Sequence, residues 1–218
     1  MSESVSFGDL ATAAYCPRQL YYRRRDPPDS RPAAMDRAVD LSARYPGLAV
    51  ASDTALSTFD IAVAPDTYRR RMRALAERDC WRTVTDPPET DVFLDGRDCR
   101  GKVQKIGYDP LRPVLVSPGD PAESGVWEPQ RVKAVAAALA LAWRERTQVE
   151  SALVEYPRHG VVREVRLTAR NRALYRRTLR AVRGLDGPPP RLHDSARCGS
   201  CDYRTECGTK TRTLRSLL

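Results

Sequence analysis

Four cysteines, one near the start and three near the end, constrain this chain more than any other feature. Cys198, Cys201 and Cys207 follow one another at spacings of two and five residues, in a polar stretch with little core of its own. A tight turn at that spacing brings three sulfurs to one side, where thiolates converge on one metal centre. Three ligands are one short. Cys16 is the best fourth: Pro17 follows it directly, and a Cys-Pro step frees the cysteine from helix continuation and aims it outward. Recruiting Cys16 ties the two ends of the chain together, so the ordering entropy of a very long loop is opposed by metal–sulfur bonds. Spacing alone leaves zinc and iron–sulfur both open. Cys80, at a helix end, and Cys99, in a strand, read as small buried hydrophobes. A disulfide framework is not expected, because 218 residues can bury a sizeable core without one.

Charge is distributed unevenly. The chain holds 37 basic and 28 acidic residues, a net +9, and residues 155–218 alone hold 15 basic and 6 acidic. That asymmetry suggests an anionic polymer, with nucleic acid the first candidate, or else an arginine-rich solvated helix. The longest apolar block, Ala134 to Trp143, is too short for a membrane span and is flanked by Lys133 and Arg144. The first residues carry no basic segment followed by an apolar core, so a cytoplasmic location with no membrane partner is expected.

The periodicities predict an α/β chain. Ser6 and Asp9 have capping-box spacing before a short helix from Phe7, interrupted near Pro17; Arg18 to Arg25 forms a second turn or helix. Residues 33–64 are weakly patterned, and a helix is expected from Pro65 or Asp66 to about Trp81. Val92–Leu94, Cys99–Ile106 and Val114–Ser117 read as strands. Gln130 to Arg146 is a helix, with Val132, Val135, Ala136, Leu139 and Trp143 on one face. Ala152–Tyr156 and Val161–Leu167 form a hairpin. Thr168 caps a helix to about Leu185, with Leu174, Thr178, Ala181, Val182 and Leu185 inward and Arg172, Arg176, Arg180 and Arg183 outward. His159 and His193 read as surface turn residues.

Tyr15-Cys16-Pro17-Arg18-Gln19-Leu20-Tyr21-Tyr22 resembles the opening motif of the RecB-like, CRISPR-associated exonucleases of the spacer-acquisition machinery. Cys198-Gly-Ser-Cys201-Asp-Tyr203-Arg-Thr-Glu206-Cys207 is similar to that family's closing motif, and Val154 to Leu167 resembles its hairpin before the last helix. About half the chain takes part. The resemblance implies a restriction-endonuclease-like PD-(D/E)XK core and a 4Fe–4S cluster on Cys16, Cys198, Cys201 and Cys207, with zinc the alternative. It implies one domain over residues 1–218: a mainly helical part at 26–95, an α/β core at 96–185, and a cluster region at 186–218 completed by Cys16.

The nuclease motifs of that family are degenerate here. Such enzymes place an Asp, a Glu-x-Lys and a helical glutamine around a divalent metal, with a histidine earlier in the chain. On the same register Gln104 stands for the Asp, Ser117 for the Glu, Gly119 for the Lys and Lys133 for the glutamine, and no histidine precedes His159. Neutral side chains are poor ligands for a hard dication, so Mg²⁺ or Mn²⁺ is not expected and no catalytic residue is assigned. Displaced acids (Asp98, Asp109, Asp120 and Glu123) are the alternative.

Three functions remain in view. The first is an iron–sulfur DNA-binding pseudo-nuclease in DNA end handling, repair or CRISPR spacer acquisition, with CRISPR integration or repair proteins as partners. The second is an active Mg/Mn-dependent exonuclease acting on single-stranded DNA. The third is a structural protein-interaction module. In the first, arginines hold phosphates while tyrosines stack on unpaired bases of single-stranded or tailed DNA. Tyr21, Tyr22, Arg23, Arg24 and Arg25 form one candidate surface, and Arg172, Arg176, Arg180 and Arg183 another. Tyr21 or Tyr22 could equally pack against the cluster.

Overall fold

The computed structural model describes residues 4–27, 33–192 and 195–208; His193 lies outside them. Val5–Ser6 (β1) leads into Phe7–Tyr15 (α1), where the Ser6 hydroxyl accepts from the Asp9 N–H at 2.9 Å, the cap predicted by the spacing. Pro17–Arg25 (α2) starts one residue later with proline at its first position. The weakly patterned stretch holds Ala33–Ala43 (α3), Tyr45–Val50 (α4) and Asp53–Leu56 (α5). Pro65–Ala76 (α6) ends before the expected Trp81, which instead opens Trp81–Thr85 (α7).

Glu89–Asp95 (β2), Cys99–Tyr108 (β3) and Leu111–Val116 (β4) form two successive hairpins. β2 therefore belongs to the sheet, and the helical part ends before residue 95. Glu128–Glu145 (α8) crosses over to Ser151–Tyr156 (β5), which pairs parallel to β4; Val161–Arg166 (β6) returns antiparallel. Ala169–Arg183 (α9) and Ser195–Gly199 (α10) follow. The sheet has six strands in mixed directions. β2 takes one edge of β3, so β1 and β4 share the other, at Cys99–Arg100 and Lys105–Tyr108. Helices cover both faces, which makes this an α/β fold.

On one face α1, α8 and α9 bury the larger core, with Phe7, Leu10, Val135, Leu141, Tyr175 and Val182 inside. On the other, Tyr45, Leu48, Tyr68 and Met72 of the helical stretch cover Val114, Leu153 and Val162. Cys80 and Cys99 are buried hydrophobes, as expected.

Two helix faces differ from the sequence reading. Trp143 is 58% exposed, because α8 lies between sheet and helices and buries Val132, Ala134 to Ala138, Ala140 and Leu141 rather than one stripe. In α9 the buried set is Tyr175, Thr178, Leu179 and Val182, with Ala181 at the surface. The stripe is rotated because Tyr175 packs inward beside Cys99. No helix among the described residues is long and apolar enough to cross a membrane.

Tight packing on α8 is concentrated at Gly96, where an added Cβ would lie 2.7 Å from the Ala140 Cα. Backbone cannot yield as a flexible side chain does, so Gly96→Ala is expected to cost about 1–3 kcal/mol, read as a lower urea midpoint at unchanged slope.

Candidate functional site

The break between α1 and α2 places Cys16. Its backbone is extended (φ −159°, ψ 115°), its N–H closes α1 on the Thr12 carbonyl at 2.8 Å, and Pro17 starts the next helix. Cys198 lies near the end of α10 and the other two cysteines on the turns after it: Cys201 N–H bonds to Cys198 O, Arg204 N–H to Cys201 O, and Cys207 N–H to Tyr203 O at 2.9 Å. All four line one pocket with a cavity volume of about 20 Å³.

Contacts between the chain ends hold that arrangement. Tyr15 OH donates to Arg197 O at 3.1 Å, and the Arg197 guanidinium donates back to Tyr15 O at 2.9 Å. Arg18 reaches Pro189 O at 2.7 Å, Tyr22 OH reaches Glu206 O at 3.3 Å, and Tyr203 OH reaches Asp26 O at 3.1 Å. The Tyr22 and Tyr203 rings stack with centroids 5.9 Å apart. Hydrophobic burial contributes little, since among the described residues no buried apolar side chain lies beyond Val182.

Burial pushes the Cys201 thiol up, a hydrogen bond at Tyr203 opposes this, and the Cys16 and Cys207 sulfurs add to the upward push. Burial works against the Arg18 charge, but Tyr22 and Cys207 outweigh it and hold the guanidinium protonated. Arg191, Arg197 and Arg204 also line the pocket, so anionic sulfurs there meet a cationic wall. Among the described residues no three His, Cys, Asp or Glu side chains stand close enough to hold a single metal ion.

Gln104 and Ser117, expected in place of nuclease carboxylates, meet at the C-terminal end of β4. Gln104 is buried, and its Oε1 accepts from Val116 N–H at 2.9 Å. Next along the chain, the Ser117 hydroxyl accepts from Gln130 Nε2 at 2.9 Å, and Gln130 Oε1 accepts from Tyr156 OH at 2.6 Å. A Cβ built on Gly119 would lie 4.0 Å from Ser117 Oγ, with nothing nearer. The glutamine facing this group is Gln130, not a residue at the Lys133 position one turn on. Its signal was Trp127-Glu128-Pro129, a helix start whose third position carries a glutamine.

The carboxylates lie elsewhere. Asp98 pairs with Arg183 at 2.9 Å, Asp120 meets His159 at 2.9 Å, Asp109 is in the exposed β3–β4 turn, and Glu123 is exposed. Glu155, beside Val116 in the sheet, is 0% exposed and pairs with Lys105 Nζ at 3.0 Å on the opposite face. Lys105 also donates to Val84 O at 2.6 Å and sits 5.2 Å from the Tyr45 ring centre.

Of the expected nucleic-acid residues, Tyr22 is buried in the chain-end contacts, with Tyr21 edge-on to it at 5.4 Å. Arg23 and Arg24 both pair with Asp9, at 3.1 and 2.8 Å. Arg172 donates to Leu167 O, Arg183 is held by Asp98, and Arg176 and Arg180 are exposed. The first candidate surface is thus largely consumed by internal contacts, and the second in part.

Fold and site together define an α/β protein whose chain ends meet around four cysteines. No family model and no curated protein matches the chain. A solved structure described as "Crystal structure of SSO0001" is similar at 13% identity and a TM-score of 0.44, over 97% of this chain and 89% of that one. A likeness that loose has no bearing on function.

Burial raises the Glu155 carboxyl while Lys105 and Tyr45 oppose the shift. Lys105→Met strands that carboxylate, with an expected loss of about 3–5 kcal/mol at neutral pH; adding Glu155→Leu should restore most of it. For an acid whose folded pKa lies above its unfolded one, the cost is complete at high pH. The deficit of Lys105→Met should therefore shrink as pH falls toward the unfolded carboxyl range, measured by urea titration at several pH values.

Proposed function

We propose that this chain is an iron–sulfur DNA-binding protein resembling the RecB-like, CRISPR-associated exonucleases, with a PD-(D/E)XK-type core that has lost its nuclease chemistry. It serves in DNA end handling, repair or spacer acquisition, alongside CRISPR integration or repair proteins. The observation that carries this reading is the meeting of Cys16 with Cys198, Cys201 and Cys207 around one pocket, across nearly the whole length of the chain. An all-thiolate set suits iron or zinc. When bound, such a centre supplies the cross-link between the chain ends that apolar burial does not.

The loss of nuclease chemistry is supported by Gln104, Ser117 and Gly119 lying beside one another without a carboxylate. Gln104 Oε1 is taken by Val116 N–H and the Ser117 hydroxyl by Gln130. Glu155 on the adjoining strand is neutralised by Lys105 across the sheet.

Anaerobically purified protein should show broad visible absorption with iron and acid-labile sulfide. Cys16→Ser and Cys201→Ser should lose all three signals, and Cys80→Ser should keep them. Stoichiometric zinc without sulfide would reject the iron–sulfur assignment. In the Cys16→Ser protein, limited proteolysis should cut within residues 186–208 well before the sheet. Single-stranded DNA should survive incubation with Mn²⁺; degradation abolished by Asp120→Ala and Asp109→Ala would reverse the pseudo-nuclease reading.

A further inference from the structure

A groove between the first turn of α8 and the length of α9 is lined by Arg131, Arg170, Arg177 and Arg180, with Glu128 the one carboxylate among its lining residues. Arg170, Arg177 and Arg180 have no carboxylate at ion-pair distance among the described residues, unlike Arg23, Arg24 and Arg183. They follow at seven- and three-residue spacing on one side of α9, which spreads their attachment points over about 15 Å. That length suits a polyanion rather than a single phosphate.

Trp127 is outside the groove's lining but directly precedes Glu128, which lines it, and its carbonyl accepts the Arg131 N–H at 2.9 Å. Its side chain is 55% exposed. The indole is held by one hydrogen bond and its backbone by another. Its Nε1 donates to Asp120 O at 3.0 Å, and its backbone N–H donates to Gln130 Oε1 at 3.2 Å. Gln130 is itself held by Ser117 and Tyr156. The side chain's ordering cost is thus met before any ligand arrives. A fixed aromatic face beside unpaired arginines offers stacking to a flat base and charge to the phosphates that follow it. A paired base inside a duplex does not expose the face that such stacking needs.

We propose that single-stranded nucleic acid occupies the α8–α9 groove, its phosphates on Arg170, Arg177 and Arg180 and an unpaired base stacked on Trp127. This rests on the DNA-binding reading and moves the interface away from Tyr22, Arg23, Arg24, Arg172 and Arg183, which bind other parts of the chain. The polar group at the vacated nuclease positions acquires a second role: Ser117 and Tyr156 orient Gln130, and Gln130 sets the position of Trp127.

Titration with oligothymidylate, followed by tryptophan fluorescence and by anisotropy of a labelled strand, tests this. Wild-type protein should bind with affinity falling steeply as salt rises, and binding should quench its emission. Trp127→Ala should weaken binding about tenfold. Trp127→Phe, which keeps an aromatic face, should abolish the quench yet hold affinity within about threefold. Arg177→Glu with Arg180→Glu should weaken binding further and flatten its salt dependence. Trp143→Phe, at the far end of α8, should alter neither affinity nor the quench, and matching melting curves show that the variants are folded. Wild-type binding unaffected by Trp127→Ala overturns the inference and leaves the DNA-binding reading standing. Loss with the arginine variants alone also overturns it, since the groove is then only an electrostatic rail. No binding of oligothymidylate by wild-type protein, even at low salt, overturns the reading itself and the inference with it.

Discussion

Burial of α8 is the constraint on which the other parts of the molecule depend. It connects two parallel strands, so it must lie across the sheet, and α1 and α9 pack against it in turn. A helix enclosed that far cannot present one apolar stripe; it needs small side chains nearly all round, and its run of alanines provides them. The close approach of Gly96 to Ala140 reflects the same requirement. Because α8 is fixed, its first turn is fixed, and with it the side chains that meet the ends of β4 and β5. The larger core thereby positions the Gln104, Ser117 and Gln130 group on that face of the sheet.

That polar group and the Lys105–Glu155 pair occupy opposite faces of the same strands. On the α8 side, amides and hydroxyls satisfy one another without any ionised acid. On the other side the acid is present but enclosed and neutralised. A buried ion pair adds little net stability over well-packed apolar residues, although removing one partner is costly. The charge of this pair is thus used for internal cohesion and is withdrawn from solvent.

The cysteine set, the cap at Ser6, the crossover helix and most strands were legible in the sequence because each depends on local spacing. Residues 33–64 were not: α3 to α5 are short, and Tyr45, Leu48 and Leu56 become core only when the far face of the sheet covers them. Arg23 and Arg24 looked like a phosphate-binding run because their partner, Asp9, lies a helix away, and a hairpin of helices is invisible to a linear charge count. Gln130 was missed for a related reason. Register along α8 decides which residue faces Ser117, and it brings Gln130 there rather than Lys133. Trp143, counted inward by periodicity, lies outside because enclosure of α8 stops before its last turn.

The break at Cys16 divides the cysteine set into two unequal halves. One sulfur is carried by the end of a helix whose Phe7 and Leu10 are locked into the main core, so its position is settled when that core forms. The other three ride on turns that lean on the body through hydroxyls, guanidiniums and one ring stack. Assembly is therefore sequential: a finished scaffold displays a single anchor, and the tail closes over it like a latch. Loss of those polar contacts would release the latch first and leave the scaffold standing.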